Sequence, residues 1–159
     1  MLKFSVGYQY KEDMPFSEMI SRFSDSMDEV YFPWIDLPSG RSIISGYEGY
    51  YDYGLQNNLL NELKTIKSMG IKLDLLFNAN CYGEEAMSCV MRGKVYSIID
   101  FLNENDLSPD VVTTTSPAIA RKIKERYDNI ILKASVNMKI STVKGMEYIS
   151  HLFDDYCIA

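Results

Sequence analysis

The sequence predicts a parallel β/α barrel that is entered but not completed. Apolar runs rich in β-branched and aromatic residues alternate with amphipathic helical stretches along the whole chain. The alternation gives five βα units and a sixth strand, and right-handed crossovers turn that order into a parallel sheet with helices outside it. The turn after the first strand, Gly7-Tyr8-Gln9-Tyr10-Lys11, lacks the glycine-rich phosphate cradle of a dinucleotide-binding sheet. An open doubly wound sheet also fits the element order, but that missing turn favours the barrel. The chain has 159 residues, whereas a complete (βα)8 barrel takes roughly 250. Residues 1–159 therefore read as one incomplete barrel domain, truncated at the C-terminus inside its sixth strand.

Leu2 to Gln9 is the first strand, and Lys11 to Pro15 the turn after it. Phe16, Met19, Ile20, Phe23 and Met27 recur at helical spacing and predict a helix of about three turns. Glu29 to Trp34 is the second strand, ending near Pro33, which has no N–H to give a ladder. Ile35 to Gly54 reads as a long loop by its glycines, with Tyr47, Tyr50, Tyr51 and Tyr53 suited to a lid or a packing surface. Leu55, Leu59, Leu60, Leu63, Ile66 and Met69 mark the next helix, stopped by Gly70.

Ile71 to Asn78 is nearly continuous in apolar character, as suits a strand buried on both faces. A helical region follows from about Glu84 to Asn105, with a break expected near Gly93. Val111 to Thr115 is the fourth strand. Ser116-Pro117 then supplies an N-cap and a first-turn proline for a helix whose apolar stripe is Ile119, Ala120, Ile123 and Tyr127. Ile130 to Val136 is the fifth strand. The last helix runs from Thr142 to Phe153, its core face Val143, Met146, Ile149, Leu152 and Phe153, and Tyr156 to Ala159 begins the sixth strand.

Sixteen basic residues stand against twenty-two acidic ones, a net charge of -6. That balance disfavours a broad nucleic-acid groove, which needs a basic stripe. Cys81, Cys89 and Cys157 are odd in number and match no zinc spacing, and the single histidine, His151, is distant from them in sequence. No metal or cofactor is expected in this chain. Reduced thiols, no signal peptide and no membrane-spanning run predict a cytoplasmic protein. An unclosed barrel exposes two strand edges, so a missing C-terminal region, a partner chain or a homo-oligomer is expected to cover them.

Active sites of parallel β/α folds lie at the C-terminal ends of the strands. That rule selects Gln9 after the first strand, Trp34 and Asp36 after the second, and Asn78, Asn80, Cys81 and Tyr82 after the third. It adds Thr114, Thr115 and Ser116 after the fourth, and Ser135, Asn137 and Lys139 after the fifth. From these, Gln9, Asn78, Asn80, Cys81, Tyr82, Ser116, Ser135 and Asn137 form the predicted ligand-binding set. Asparagine supplies a donor and an acceptor together, for a ligand or for the loop's own backbone. Ser135 and Asn137 straddle Val136 and so share one face of the strand, which brings both to the pocket if that face is the barrel interior. Cys81 lacks a nearby base, so a pocket-lining thiol is the simpler reading. No catalytic residue is assigned.

The blocks Asn78-Ala79-Asn80-Cys81-Tyr82, Thr113-Thr114-Thr115-Ser116-Pro117 and Ala134-Ser135-Val136-Asn137-Met138, the last running on to Gly145-Met146-Glu147-Tyr148, resemble the N-terminal barrel of the U32, or collagenase-like, peptidases. The resemblance implies a hydrolase whose barrel binds a polar ligand at the strand ends, with the isolated chain inactive. It equally implies a fragment of the oxygen-independent hydroxylases of that family, whose iron–sulfur cluster is held by cysteines in a C-terminal region, a pattern that Cys81, Cys89 and Cys157 do not match. A non-catalytic assembly module is the third reading. The opening Gly7-Tyr8-Gln9-Tyr10-Lys11 replaces the family's acidic-proline-alanine-glycine turn and marks a divergent branch.

Overall fold

The structure, a computed structural model, describes residues 2–11, 13–41, 44 and 52–158. Six strands form one all-parallel sheet: β1 (Phe4–Gly7), β2 (Met27–Pro33), β3 (Lys72–Phe77), β4 (Val111–Thr114), β5 (Ile131–Ala134) and β6 (Asp155–Tyr156). Five helices alternate with them: α1 (Phe16–Ser21), α2 (Tyr53–Ser68), α3 (Cys89–Glu104), α4 (Pro117–Lys124) and α5 (Val143–Ile149). The strand order is β1-β2-β3-β4-β5-β6, without reversal. A doubly wound sheet must reverse to place helices on both faces. Sequential order with right-handed crossovers instead puts every helix on one face and leaves the other as a barrel interior.

Paired residues on neighbouring parallel strands point the same way, so the register separates the two faces. Val30 pairs with Leu73, and Phe32 with Leu75. Leu75 pairs with Val112, Phe77 with Thr114, and Val112 with Leu132. The apolar members of these pairs join Leu59, Leu63 and Ile66 of α2, Val95, Ile99 and Leu102 of α3, and Ile119 and Ile123 of α4 in the core between sheet and helices. The alternate residues, Glu29, Tyr31, Asp74, Thr113, Lys133 and Asp155, fall on the opposite, concave face.

The sheet is curled into a half-barrel. β2 and β5 are three strands apart, about 14 Å if the sheet were flat. Lys133 Nζ nevertheless lies 2.6 and 2.7 Å from the two carboxylate oxygens of Glu29. Only a concave inner face brings those side chains together.

Polar residues fix the helix starts. Asp52 accepts from the Leu55 N–H, Ser88 from Met91, Ser116 from Ile119 and Thr142 from Gly145. The cap expected at Ser116 is present, with Pro117 at the first helical position. Two aspartates also clamp strand entries. Asp110 Oδ2 accepts from the Leu73 N–H at 2.9 Å, and Asp154 Oδ2 from the Leu132 N–H at 3.0 Å.

Four local expectations are corrected. The first helix has only the six residues of α1. Met19 and Phe23 are exposed, a 3-10 turn follows at Ser24–Ser26, and Met27 joins β2 by pairing with Phe4. The helical region after β3 breaks at Ser88, not Gly93, because Ser88 caps α3 and separates it from a 3-10 turn at Gly83–Met87. β5 ends at Ala134, so Ser135 and Asn137 do not share a strand face: Ser135 caps a 3-10 turn at Val136–Met138 through the Asn137 N–H. Val143 opens α5 and is 69% exposed, outside the core. Of the tyrosine-rich loop, Tyr47, Tyr50 and Tyr51 lie outside the described residues, and Tyr53 begins α2. Among the described residues, no helix is long and apolar enough to cross a membrane.

Replacing Asp110 with Ala removes the acceptor of the buried Leu73 N–H. The expected loss is about 1–3 kcal/mol in urea unfolding, with Ser108→Ala, whose side chain makes no such bond, as the control.

Candidate functional site

The C-terminal ends of β2, β3 and β5 meet at one mouth. After β2 the chain turns on the buried side chains of Trp34, Ile35 and Leu37. Trp34 packs edge-on against Phe101 of α3, 5.8 Å between ring centroids. That anchor sends Ser39-Gly40-Arg41 over the strand ends. The Gly40 N–H donates to Asn78 Oδ1 at 2.9 Å, and Asn137 Nδ2 donates to the Asn78 carbonyl at 3.3 Å. A Cβ on Gly40 would lie 2.6 Å from Asn137 Nδ2, so this approach needs glycine. Thr115 Oγ1 donates to the Ala79 carbonyl at 2.6 Å, joining the end of β4 to the same loop.

Arg41 covers the inner face beside this junction. Its guanidinium stands 4.8 Å from the Tyr31 ring centroid. A Cβ on Gly7 would collide with the guanidinium, and Gly7 is the register partner of Tyr31. Arg41 thus lies over β1 and β2 at once.

Below the mouth is a buried ionic cluster. Lys133 is held by Glu29, with Asp74 Oδ2 at 3.6 Å and Asp155 Oδ2 at 4.0 Å. Thr113 Oγ1 donates to Asp74 Oδ2 at 2.7 Å, whereas Asp74 Oδ1 is buried without a hydrogen-bond partner. Burial pushes Asp74 up to about 7, overriding the opposite pulls of the Thr113 hydrogen bond and the Lys133 charge. For Lys133, burial works to lower the pKa, but the Glu29 hydrogen bond and the Asp74 and Glu29 charges outweigh it and the net shift is upward. Asp74 is therefore the cluster's proton-exchanging member near neutrality, and Lys133 its fixed cation.

The predicted ligand set does not converge on one place. Asn78, Ser135 and Asn137 belong to the mouth and its rim. The Asn78 side-chain oxygen serves the Gly40 backbone, so that part of its amide is structural. Cys81 and Tyr82 line a separate cavity of about 470 Å³ with Trp34, Pro38 and Lys94. Burial pushes the Tyr82 phenol up to about 12, and its hydroxyl accepts from the Ala79 N–H. Cys81 is exposed and its sulfur accepts from the Gly83 N–H. Ser116 borders a third cavity of about 710 Å³ between the start of α3 and α4. Gln9 and Asn80 are exposed.

Sequence reasoning missed Glu29, Asp74 and Lys133. Their signal was available: each is a charge inside a strand with apolar residues directly after it. Arg41 carried no such signal, because only the fold brings it onto Gly7 and Tyr31.

An iron–sulfur cluster does not suit the thiols present. Cys81 follows β3, Cys89 opens α3 and Cys157 follows β6. Among the described residues, no group of three or more His, Cys, Asp or Glu side chains could hold a metal ion.

The fold defines a parallel β/α half-barrel whose strand-end loops are joined by hydrogen bonds. Among solved structures it is similar to the U32 peptidase Mk0906, with a TM-score of 0.73 and 16% identity over 99% of this chain and 58% of that one. It is also similar to a GH18 chitinase from Pseudoalteromonas aurantia (TM-score 0.58, 12% identity, 97% of this chain and 66% of that one) and to a family GH13_31 enzyme (TM-score 0.55, 11% identity, 98% and 51%). At these identities the likeness is one of fold, and the fold expected from the U32 resemblance is present. The chain spans a little over half the length of the U32 peptidase it matches. No family model matches the sequence, and no curated protein does.

Two outcomes follow from the cluster. Lys133→Met leaves Glu29 buried without its donor and should cost about 3–5 kcal/mol, largely recovered in the Glu29→Gln/Lys133→Met double variant; chemical denaturation of the three proteins measures both. The protonated form of Asp74 favours the folded state, so its contribution is full below the ordinary value of 3.8 and is lost as pH rises through about 7. Stability of the wild type should therefore fall relative to Asp74→Asn between about pH 4 and pH 8, and parallel stability curves would contradict this.

Proposed function

We propose that this chain forms the ligand-binding half of a U32 peptidase-like barrel, with its strand-end mouth holding a polar, peptide-like segment. The carrying observation is the hydrogen-bonded convergence of the loops after β2 and β3 with the turn after β5 at Gly40, Asn78 and Asn137. The mouth is already organised, so a ligand meets preset donors and acceptors instead of ordering them on arrival. Among the described residues, no hydrogen bond uses the Asn137 side-chain carbonyl, which is left for a peptide amide.

Support for the peptidase-like reading comes from the likeness to Mk0906 and from the sequence blocks at the ends of β3, β4 and β5. Peptide hydrolysis in this reading needs further groups, from barrel strands or a partner chain that pair with the open edges of β1 and β6. The ionic cluster then becomes part of an enclosed interior.

Titration of the ¹⁵N-labelled protein with tri-alanine tests the site. Amide shifts should concentrate at Gly40, Asn78, Ser135 and Asn137, and Asn137→Ala should weaken binding by several-fold, on the order of one lost hydrogen bond. No saturable shifts, or shifts confined to the cavities beside Cys81 or Ser116, would refute the mouth as the binding site.

A further inference from the structure

We propose that Arg41 is the anion anchor of this mouth and binds the carboxylate end of its peptide-like ligand, an assignment that rests on the mouth being the binding site. The guanidinium occupies a prepared seat. Gly7 leaves room that any Cβ would take, and the Tyr31 ring lies under the cation at 4.8 Å. Both seat residues sit in paired register on the concave face, close to the strand C-termini. Contact with a ring and with bare backbone seats the cation, and no hydrogen bond among the described residues uses its guanidinium donors.

What the seat lacks is a counter-charge. Among the described residues, no carboxylate lies within ion-pairing distance of Arg41. Arg126 makes the contrast. It too lies over aromatic rings, Tyr96 at 4.6 Å and Tyr127 at 5.4 Å, but its guanidinium is satisfied by Asp100 at 2.7 Å. In a chain carrying net charge -6, acidic side chains are plentiful, yet none of the described ones neutralises the arginine at the mouth. A planar guanidinium held this way presents parallel N–H donors, which match a carboxylate in bidentate geometry. The Gly40 backbone and the Asn137 side chain adjoin it, so a peptide held there by its end would lay its last amide across the loop junction.

The experiment compares tri-alanine, tri-alanine amide and inorganic phosphate by ¹⁵N chemical-shift titration, on wild type, Arg41→Gln and Gly7→Ala. Wild type should bind tri-alanine about tenfold more tightly than the amide, the worth of one charge-assisted hydrogen-bond pair. Arg41→Gln should abolish that preference. Gly7→Ala keeps the charge but removes its seat, and should reduce the preference as well. The variants' own spectra report whether the fold is intact. Equal binding of tri-alanine and its amide to wild type overturns the anchor while leaving the mouth in place. Absence of binding by either peptide removes the mouth and the anchor together. Phosphate binding more tightly than tri-alanine at the amides of Gly7, Tyr31 and Gly40 overturns the carboxylate assignment in favour of a phosphoryl group.

Discussion

The buried contact of Lys133 with Glu29, with Asp74 beside it, is the constraint on which the half-barrel depends. It spans three strands and 104 residues of sequence, and it exists only when the sheet is curved. Its contribution is geometric more than energetic. Removing the Lys133 and Glu29 charges from water costs several kcal/mol per ion, and their mutual attraction does little more than offset that. Apolar contacts on the other face do the stabilising, through Val30, Leu73, Leu75, Val112 and Leu132 against the helices. The two faces therefore divide the labour: one holds the sheet to its helices, and the other sets how far it bends.

The same division explains how the mouth is built. Curvature brings the end of β5 toward the loop after β2, so Asn137 reaches the Asn78 carbonyl while Gly40 reaches the Asn78 side chain. In a flat sheet those segments would stand well apart. The three solved structures of similar fold include a peptidase and a chitinase, a range of chemistry that the shared scaffold tolerates because its sites live in strand-end loops. Arg41, Gly40 and the turn after β5 are the strand-end furniture of this chain.

Much of this was legible in the sequence. The alternation of elements, the Ser116-Pro117 cap and the strand ending at Pro33 rest on local chemistry, and local chemistry is present in the chain before it folds. The errors come where tertiary pairing overrode a local pattern. Met27 has helical spacing relative to Phe23, but a strand partner was available in Phe4. Val136 is β-branched and invited a longer β5, yet the Ser135 hydroxyl captured the Asn137 N–H and bent the backbone into a turn. At the site, Asn78 and Asn137 could be found from strand-end position alone. Arg41 could not, since its meaning depends on a glycine in another strand.

Sequential pairing has a kinetic consequence. Each strand pairs only with its neighbours in sequence, so every βα unit can dock on the one already made as the chain leaves the ribosome. Each step still closes a loop of one βα unit, which makes parallel pairing slow, but no step in the sheet has to close a longer one. The closing of Lys133 onto Glu29 is different, since it waits for the fifth strand. The nascent chain would thus grow as a shallow ribbon and bend late, with the arrival of Lys133 timing the change of shape.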